Sequence, residues 1–210
     1  MLIRIWGCRG SLPVAMNTVE LRGKLVKALL AAQGRHFGGE QEALRFVEQE
    51  LDATVASTHG GNTSCVEIEG GDGYVACDIG SGAREFGNRA LAALDGKPAT
   101  FHFFLSHLHW DHIMGFPFFV PAYLPGHRVN IYGCHADMEE AFRRQQHPAH
   151  FPVAFSQLAA DIRFVTLVPG ETAEVAGLRV TPMKQRHAGD SYGYRFEKAG
   201  KSFVYATDSE

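Results

Sequence analysis

A run of metal-binding residue types at the end of an apolar strand constrains this chain more than any other feature. Phe101 to Leu105 reads as a buried strand, and it delivers the backbone into Ser106-His107-Leu108-His109-Trp110-Asp111-His112. Four potential ligands fall within six residues. His107 and His109 are two apart, so in extended backbone their imidazoles point the same way. Asp111 and His112 follow where the chain must turn, and from there they can face a second ion. Mixed imidazole and carboxylate donors suit Zn²⁺, Mn²⁺ or Fe²⁺ and not a Ca²⁺ cage. A histidine-rich surface loop is the alternative. It would not explain the apolar approach or the bulky exit Ile113-Met114-Gly115-Phe116-Pro117-Phe118-Phe119.

The 210 residues suffice for one large domain with a substantial core. A net charge of −3 gives no reason to expect a general nucleic-acid or membrane-surface binder. No stretch approaches the roughly 18–20 apolar residues needed to span a bilayer. The cysteines Cys8, Cys65, Cys77 and Cys134 form no C-x-x-C pair and read as buried small hydrophobes in a reducing compartment. Met1 to Trp6 does not resemble a secretory leader, so the expected location is the cytoplasm.

Leu2 to Trp6 is strand-like. Asn17 to Ala32 reads as an amphipathic helix with Asn17 and Glu20 forming a capping box and Leu21, Leu25 and Leu29 on one face. A second helix is expected from Glu40 to Leu51, with Leu44, Val47 and Leu51 aligned. Ser64–Glu69 and Tyr74–Asp78 read as a hairpin closed by Gly70-Gly71-Asp72-Gly73. Helices are expected over Ala83–Leu94 and Asp137–Gln146. Further strands are expected at Val129–Tyr132, Arg163–Val168, Leu178–Met183, Tyr192–Glu197 and Ser202–Thr207. No repeat or linker interrupts the pattern, so residues 1–210 are expected to form a single α/β (α+β) domain with mixed sheets packed by helices.

The H-x-H-x-D-H run resembles the signature of the metallo-β-lactamase superfamily. Its surroundings resemble one branch, which includes ribonuclease Z-like proteins and the cyclic phosphodiesterase of phosphonate breakdown. The residues that carry this are Trp6-Gly7-Cys8-Arg9-Gly10-Ser11-Leu12-Pro13, Gly60-Gly61-Asn62-Thr63-Ser64-Cys65 and His109-Trp110-Asp111-His112-Ile113-Met114-Gly115-Phe116-Pro117. The likeness runs to Asp208 and is interrupted by a helical insertion at about 17–58. It implies an αββα sandwich with metals at one edge of two facing sheets. It also implies that the closing strands and helices of the fold are missing, so the chain is expected to be C-terminally incomplete.

The resemblance directs attention to three more residues. Asp78, in Cys77-Asp78-Ile79-Gly80-Ser81-Gly82, matches a strand-end aspartate that supports the site without being a primary ligand. His187 matches the next metal ligand, and Asp208 matches the carboxylate that bridges two metals. Each of the last two ends an expected strand, and the hairpin between them could return Asp208 to the edge from which His187 departs. The implied metal set is His107, His109 and His187 for one ion, Asp111 and His112 for the other, with Asp208 shared. The second ion then lacks a histidine that the family carries beyond the bridging aspartate.

The implied cofactor is a pair of divalent ions, zinc first, with manganese or iron as alternatives. The implied activity is hydrolysis through a metal-bridging hydroxide, with Asp111 and Asp78 as the catalytic carboxylates that orient ligands and solvent. A small or nucleotide-like phosphodiester is the favoured substrate. An ester, lactone or thioester on the same core, or metal binding without turnover, stays open, as does a homodimer. No group is assigned to protonate the leaving oxygen. His59 is a candidate for the cleft wall, whereas His102, His127, His135, His147 and His150 read as core or surface residues. The aromatic stretch Phe116 to Tyr123 is either cleft wall or core.

Overall fold

Short apolar runs alternating with glycine turns form two sheets in the computed structural model, which describes residues 1–58 and 60–210. In chain order the elements begin with β1 (Leu2–Gly7), α1 (Thr18–Ala31), α2 (Glu40–Gln49) and α3 (Ala53–Ala56). They continue with β2 (Cys65–Glu69), β3 (Tyr74–Cys77), α4 (Ala83–Leu94), β4 (Thr100–Phe104) and the single turn α5 (Trp110–Ile113). Then come β5 (Arg128–Gly133), α6 (Met138–Gln145), β6 (Asp161–Thr166), β7 (Ala173–Val175), β8 (Leu178–Lys184), β9 (Tyr192–Lys198) and β10 (Lys201–Tyr205). No helix among the described residues is long and apolar enough to cross a membrane.

Two compact units result, one of residues 1–13 and 62–210, the other of Val14–Gly61. In the larger unit six strands run in the order β1-β2-β3-β4-β5-β6. The β1–β2 and β2–β3 pairs are antiparallel, and β3 through β6 are parallel. Parallel neighbours need a crossover, which α4 provides between β3 and β4 and α6 between β5 and β6. The second sheet is antiparallel, in the order β10-β9-β8-β7.

Alternation along β4 divides the core. Phe101, Phe103 and Leu105 point to the helices, where they join Phe86 of α4, Phe119 and Phe142. Phe119 stands edge-on to both Phe101 and Phe103 at 5.1 Å. Phe104 points the other way and meets Tyr194 and Phe196 of the second sheet at 5.6 and 5.1 Å. Burying both faces of the strand explains why Phe101–Leu105 is apolar but for His102, whose buried ring pairs its Nδ1 with Tyr132 Oη at 3.1 Å. Of the cysteines, Cys65 and Cys77 are buried and Cys134 is partly so, but Cys8 is exposed. Its amide binds Asn62 O just past the end of β1, and its side chain faces out.

The Val14–Gly61 unit is helical. Asn17 caps α1, and its side chain and that of Glu20 form the expected reciprocal box. The leucine stripe does not form a core, because Leu21, Leu25 and Leu29 are all exposed. In α2 the buried residue is Phe46, not Leu44 or Val47. Phe46 lies 5.5 Å from Phe37, and the Arg35 guanidinium sits 4.7 Å over its ring. Periodicity identifies an apolar stripe but not what covers it, and here the aromatic side chain wins the interior.

Candidate metal centre

The site lies where β3 and β4 end side by side. The Asp78 amide donates to Phe104 O (2.9 Å), the Ile79 amide to His112 O (2.8 Å) and the Gly115 amide to Ile79 O (2.8 Å). The loop after β3 is thus bonded to the backbone of the histidine run. This approach is possible only for glycine. A Cβ on Gly115 would stand 1.9 Å from Gly80 O, and one on Gly80 would stand 2.5 Å from Asp111 O. The Asn62-Thr63 turn locks onto the same loop. Thr63 N donates to Ser81 Oγ (2.9 Å), Ser81 N to Thr63 Oγ1 (2.7 Å) and Ser81 Oγ to Asn62 Oδ1 (3.0 Å).

Asp78 is fully buried and held at φ 58°, in the left-handed region that aspartate tolerates better than most residues. Four donors converge on it: Ser106 N (2.7 Å), Ser106 Oγ (2.8 Å), His112 Nδ1 (2.7 Å) and Tyr205 Oη (2.6 Å). Because the Ser106 hydroxyl gives its proton to Asp78, its oxygen accepts from His107 Nδ1 at 3.0 Å. With both Nδ1 atoms donating inward, the Nε2 atoms of His107 and His112 face the opposite side. The carboxylate thereby sets the outlook of two imidazoles.

Those nitrogens meet Asp208, which ends the β9–β10 hairpin at φ 45°. Asp208 Oδ2 lies 3.6 Å from His107 Nε2, 3.4 Å from His112 Nε2 and 3.8 Å from His187 Nε2. His107 Nε2 and His109 Nδ1 come within 3.0 Å. Two groups of three ligand atoms, each within 4.8 Å of one another, are His107, His109, His187 and His107, His112, Asp208. Asp111 stands beside them. Its Oδ2 is 3.6 Å from His112 Nε2 and accepts from the amide of Ser11, itself at φ 66°.

Electrostatics follow from this packing. Burial, with the charge of neighbouring His112, lowers His107 to about 4. Burial also opposes a charge on His112, but Asp78 by charge and hydrogen bond, with Asp111 and Asp208, outweighs it and raises His112 to about 9. Burial pushes the Asp208 carboxyl up, yet His112, the Thr207 hydrogen bond, His107 and His187 together hold it below its ordinary value. His112 Nε2 and His187 Nε2 are buried with no hydrogen-bond partner. Unpartnered imidazole nitrogens around one carboxylate fit a divalent cation, which would satisfy them together.

All seven residues singled out from the sequence therefore fall at one edge of the two sheets. Their supports were not assigned that role from the sequence: Ser106 as relay, Tyr205 as a donor to Asp78, the Ser11 amide on Asp111, and His135, which reads there only as a core or surface residue. The His135 ring is buried two residues past the end of β5 and donates from Nε2 to Asp190 O at 2.5 Å. It thus ties down the loop that carries His187. A histidine three residues beyond the end of the expected strand Val129–Tyr132 was the available signal. Of the remaining histidines, His102 and His127 are buried, His147 and His150 are exposed, and His59 lies outside the described residues. In the aromatic stretch, Phe116 and Phe119 are core and Phe118 is exposed.

Residues 75–210 match the beta-lactamase superfamily domain. No curated protein matches the chain. Among solved structures, the metallo-beta-lactamase fold protein YhfI from Bacillus subtilis is similar at 18% identity and a TM-score of 0.52, over 96% of this chain and 59% of that one. Human tRNase Z, short form, is similar at 14% identity and a TM-score of 0.52, over 96% of this chain and 66% of that one. The chain thus spans about three-fifths to two-thirds of the length of these structures. At such identities the likeness is one of fold.

Proposed function

The chain belongs to the beta-lactamase superfamily, and from that premise we propose that it is a metal-dependent hydrolase acting on a phosphodiester. The observation that carries this reading is the convergence of three imidazole nitrogens on Asp208 Oδ2 at 3.4–3.8 Å, two of them otherwise unpartnered. His107, His109 and His187 would hold one ion, Asp111 and His112 the other, and Asp208 would touch both. When bound, such ions supply Lewis-acid charge and acidify a water molecule towards neutrality.

The protein's own part is orientation. Asp78 fixes His112 directly and His107 through Ser106, so both present Nε2 to the site without a rotational search. Ser11 holds the Asp111 carboxylate against His112. The Asp208 carboxylate offsets cationic charge at the centre and draws together ligands from both sheets.

The choice of a phosphodiester rests on the flanking motifs around Gly7-Cys8-Arg9-Gly10 and Gly60-Gly61-Asn62, which resemble the ribonuclease Z-like branch, and the tRNase Z neighbour is compatible with it in fold. The same core would serve an ester, lactone or thioester. The deciding experiment is metal analysis of the whole protein with assays on bis(p-nitrophenyl) phosphate, a lactone and a thioester. Bound divalent metal and turnover of the diester are expected, with metal lost in His109→Ala and Asp111→Ala. A protein that binds no metal would refute the reading, and turnover of the lactone or thioester alone would change its substrate class.

A further inference from the structure

The helical unit leaves one side of each of its two longer helices uncovered. All six large apolar side chains of α1 are between 49% and 78% exposed. Lys24 marks the side that the unit itself uses, donating to Thr54 O and, at 2.6 Å, to Ser57 O beside α3. Arg22, two positions earlier, points the other way around the helix. Its neighbours three, four and seven positions along include Val19, Leu25, Val26 and Leu29, so a guanidinium stands in the middle of an apolar face. In α2 the pattern is converse. Phe46 is buried, and Leu44, on the far side, is 53% exposed with Glu40 and Glu48 one turn to either side of it. The helices also differ in sign. α1 sets Arg22, Lys24 and Lys27 against Glu20, a net +2, and α2 sets Glu40, Glu42 and Glu48 against Arg45, a net −2. Among the described residues this unit has one ion pair, Arg35 with Glu50 at 2.7 Å, and Arg22, Glu40 and Glu48 pair with nothing.

An apolar face of this extent on a water-facing helix marks an interaction surface, and its charges narrow the choice of partner. A helix that lies on a lipid surface keeps its cations on the polar side, whereas Arg22 sits at the centre of the apolar one. Anionic headgroups would also repel Glu40 and Glu48. The complement of an apolar face with a central cation is an apolar face flanked by carboxylates, and this chain carries both. Exposed as they are, the two do not cover each other within one copy. A two-fold axis lets α1 of one copy lie on α2 of the other, and the same operation makes the reverse contact. We propose that the helical unit is a self-association surface, in which a second copy of this chain covers α1 with its own α2 and Arg22 meets Glu40 and Glu48 across the contact. This is independent of the hydrolase reading and gives the helical insertion a role of its own.

The test is the mass of the whole protein in solution, by light scattering on a sizing column. A dimer is expected at roughly 100 μM. Arg22→Glu, and Glu40→Lys combined with Glu48→Lys, should each weaken self-association about 10- to 100-fold, because each sets like charges against one another. Mixing these two variants should restore a dimer, since each supplies the charge that the other has lost at both contacts. That rescue separates a lost contact from a lost fold. Leu29→Ser should also give a monomer, with the circular dichroism of the parent, because Leu29 is 72% exposed and supports nothing within the unit. A monomeric parent would overturn the proposal. Binding of that monomer to phosphatidylserine vesicles would then name a membrane as the occupant. Protection of Leu29→Cys from a maleimide in that monomer, read by peptide mass, would name another segment of the same chain. A dimer indifferent to all these substitutions would also overturn the proposal, as would charge-reversed variants that stay apart when mixed.

Discussion

The two halves of the candidate metal centre are built on different terms. In the half supplied by the six-stranded sheet the ring around Asp78 is sealed: Asp78, Ser106, His107 and His112 are at most 1% exposed, Asp78 accepts four hydrogen bonds, and His109 alone among the histidines of the run is exposed. The half supplied by the antiparallel sheet is open. The side chains of His187 and Asp208 are 19% and 31% exposed, and both sit on loops at strand ends. The sealed half spends its hydrogen bonds on orientation, whereas the open half leaves His187 Nε2 without a hydrogen bond. A binding centre divided in this way has one wall set by folding and one set by its ligand.

Substitutions should separate the halves. The largest effect belongs to Asp78→Ala, which strands four donors in the interior. It should cost about 3–5 kcal/mol of unfolding free energy by urea titration and also abolish metal binding. His187→Ala should lose most of its metal affinity by equilibrium dialysis yet stay within about 0.5 kcal/mol of the parent stability, because its Nε2 bonds to nothing within the protein. Equal destabilisation by both would mean that the two halves are held by the fold on the same terms. Tyr205→Phe removes one donor of the four and should weaken metal binding about 10–100-fold while leaving the fold intact.

The smallest effect is on pH. In the metal-free fold His112 titrates at about 9, against 6.5 for an unperturbed imidazole. Its proton therefore contributes stability fully below pH 6.5, and that contribution is lost as pH rises through about 9. The depressed His107 acts only below 6.5, so it does not enter this window. Melting temperatures of the metal-free protein should fall across the window, and His112→Gln should flatten the slope. Because a cation must displace the same proton, metal affinity should rise over this range.

Much of the architecture could be read from the chain because buried parallel strands and hairpins leave local patterns. Phe101–Leu105 is apolar but for His102, and Tyr192–Glu197 and Ser202–Thr207 are separated by a short turn. The elements that were missed are short. Trp110–Ile113 and Ala173–Val175 span four and three residues, too few for any period to register. Within the site, residue type and spacing pointed to the histidines and carboxylates. The roles of Ser106, Tyr205 and His135 depend on partners 28, 127 and 55 residues away, which no local pattern encodes. The helical unit makes the same point in reverse: its leucine stripe was plain in the sequence, but its exposure was not.

The bond from Tyr205 to Asp78 joins residues 127 positions apart, and that separation bears on the order of events as the chain folds. Contacts between distant residues pay a larger loop-closure cost and tend to form late. The hairpin that brings Tyr205 and Asp208 must dock before Asp78 gains its fourth donor and before the two sheets share a carboxylate. Metal capture is thus expected to follow sheet docking rather than nucleate it, so a cation would act as a seal on a finished fold and not as its template.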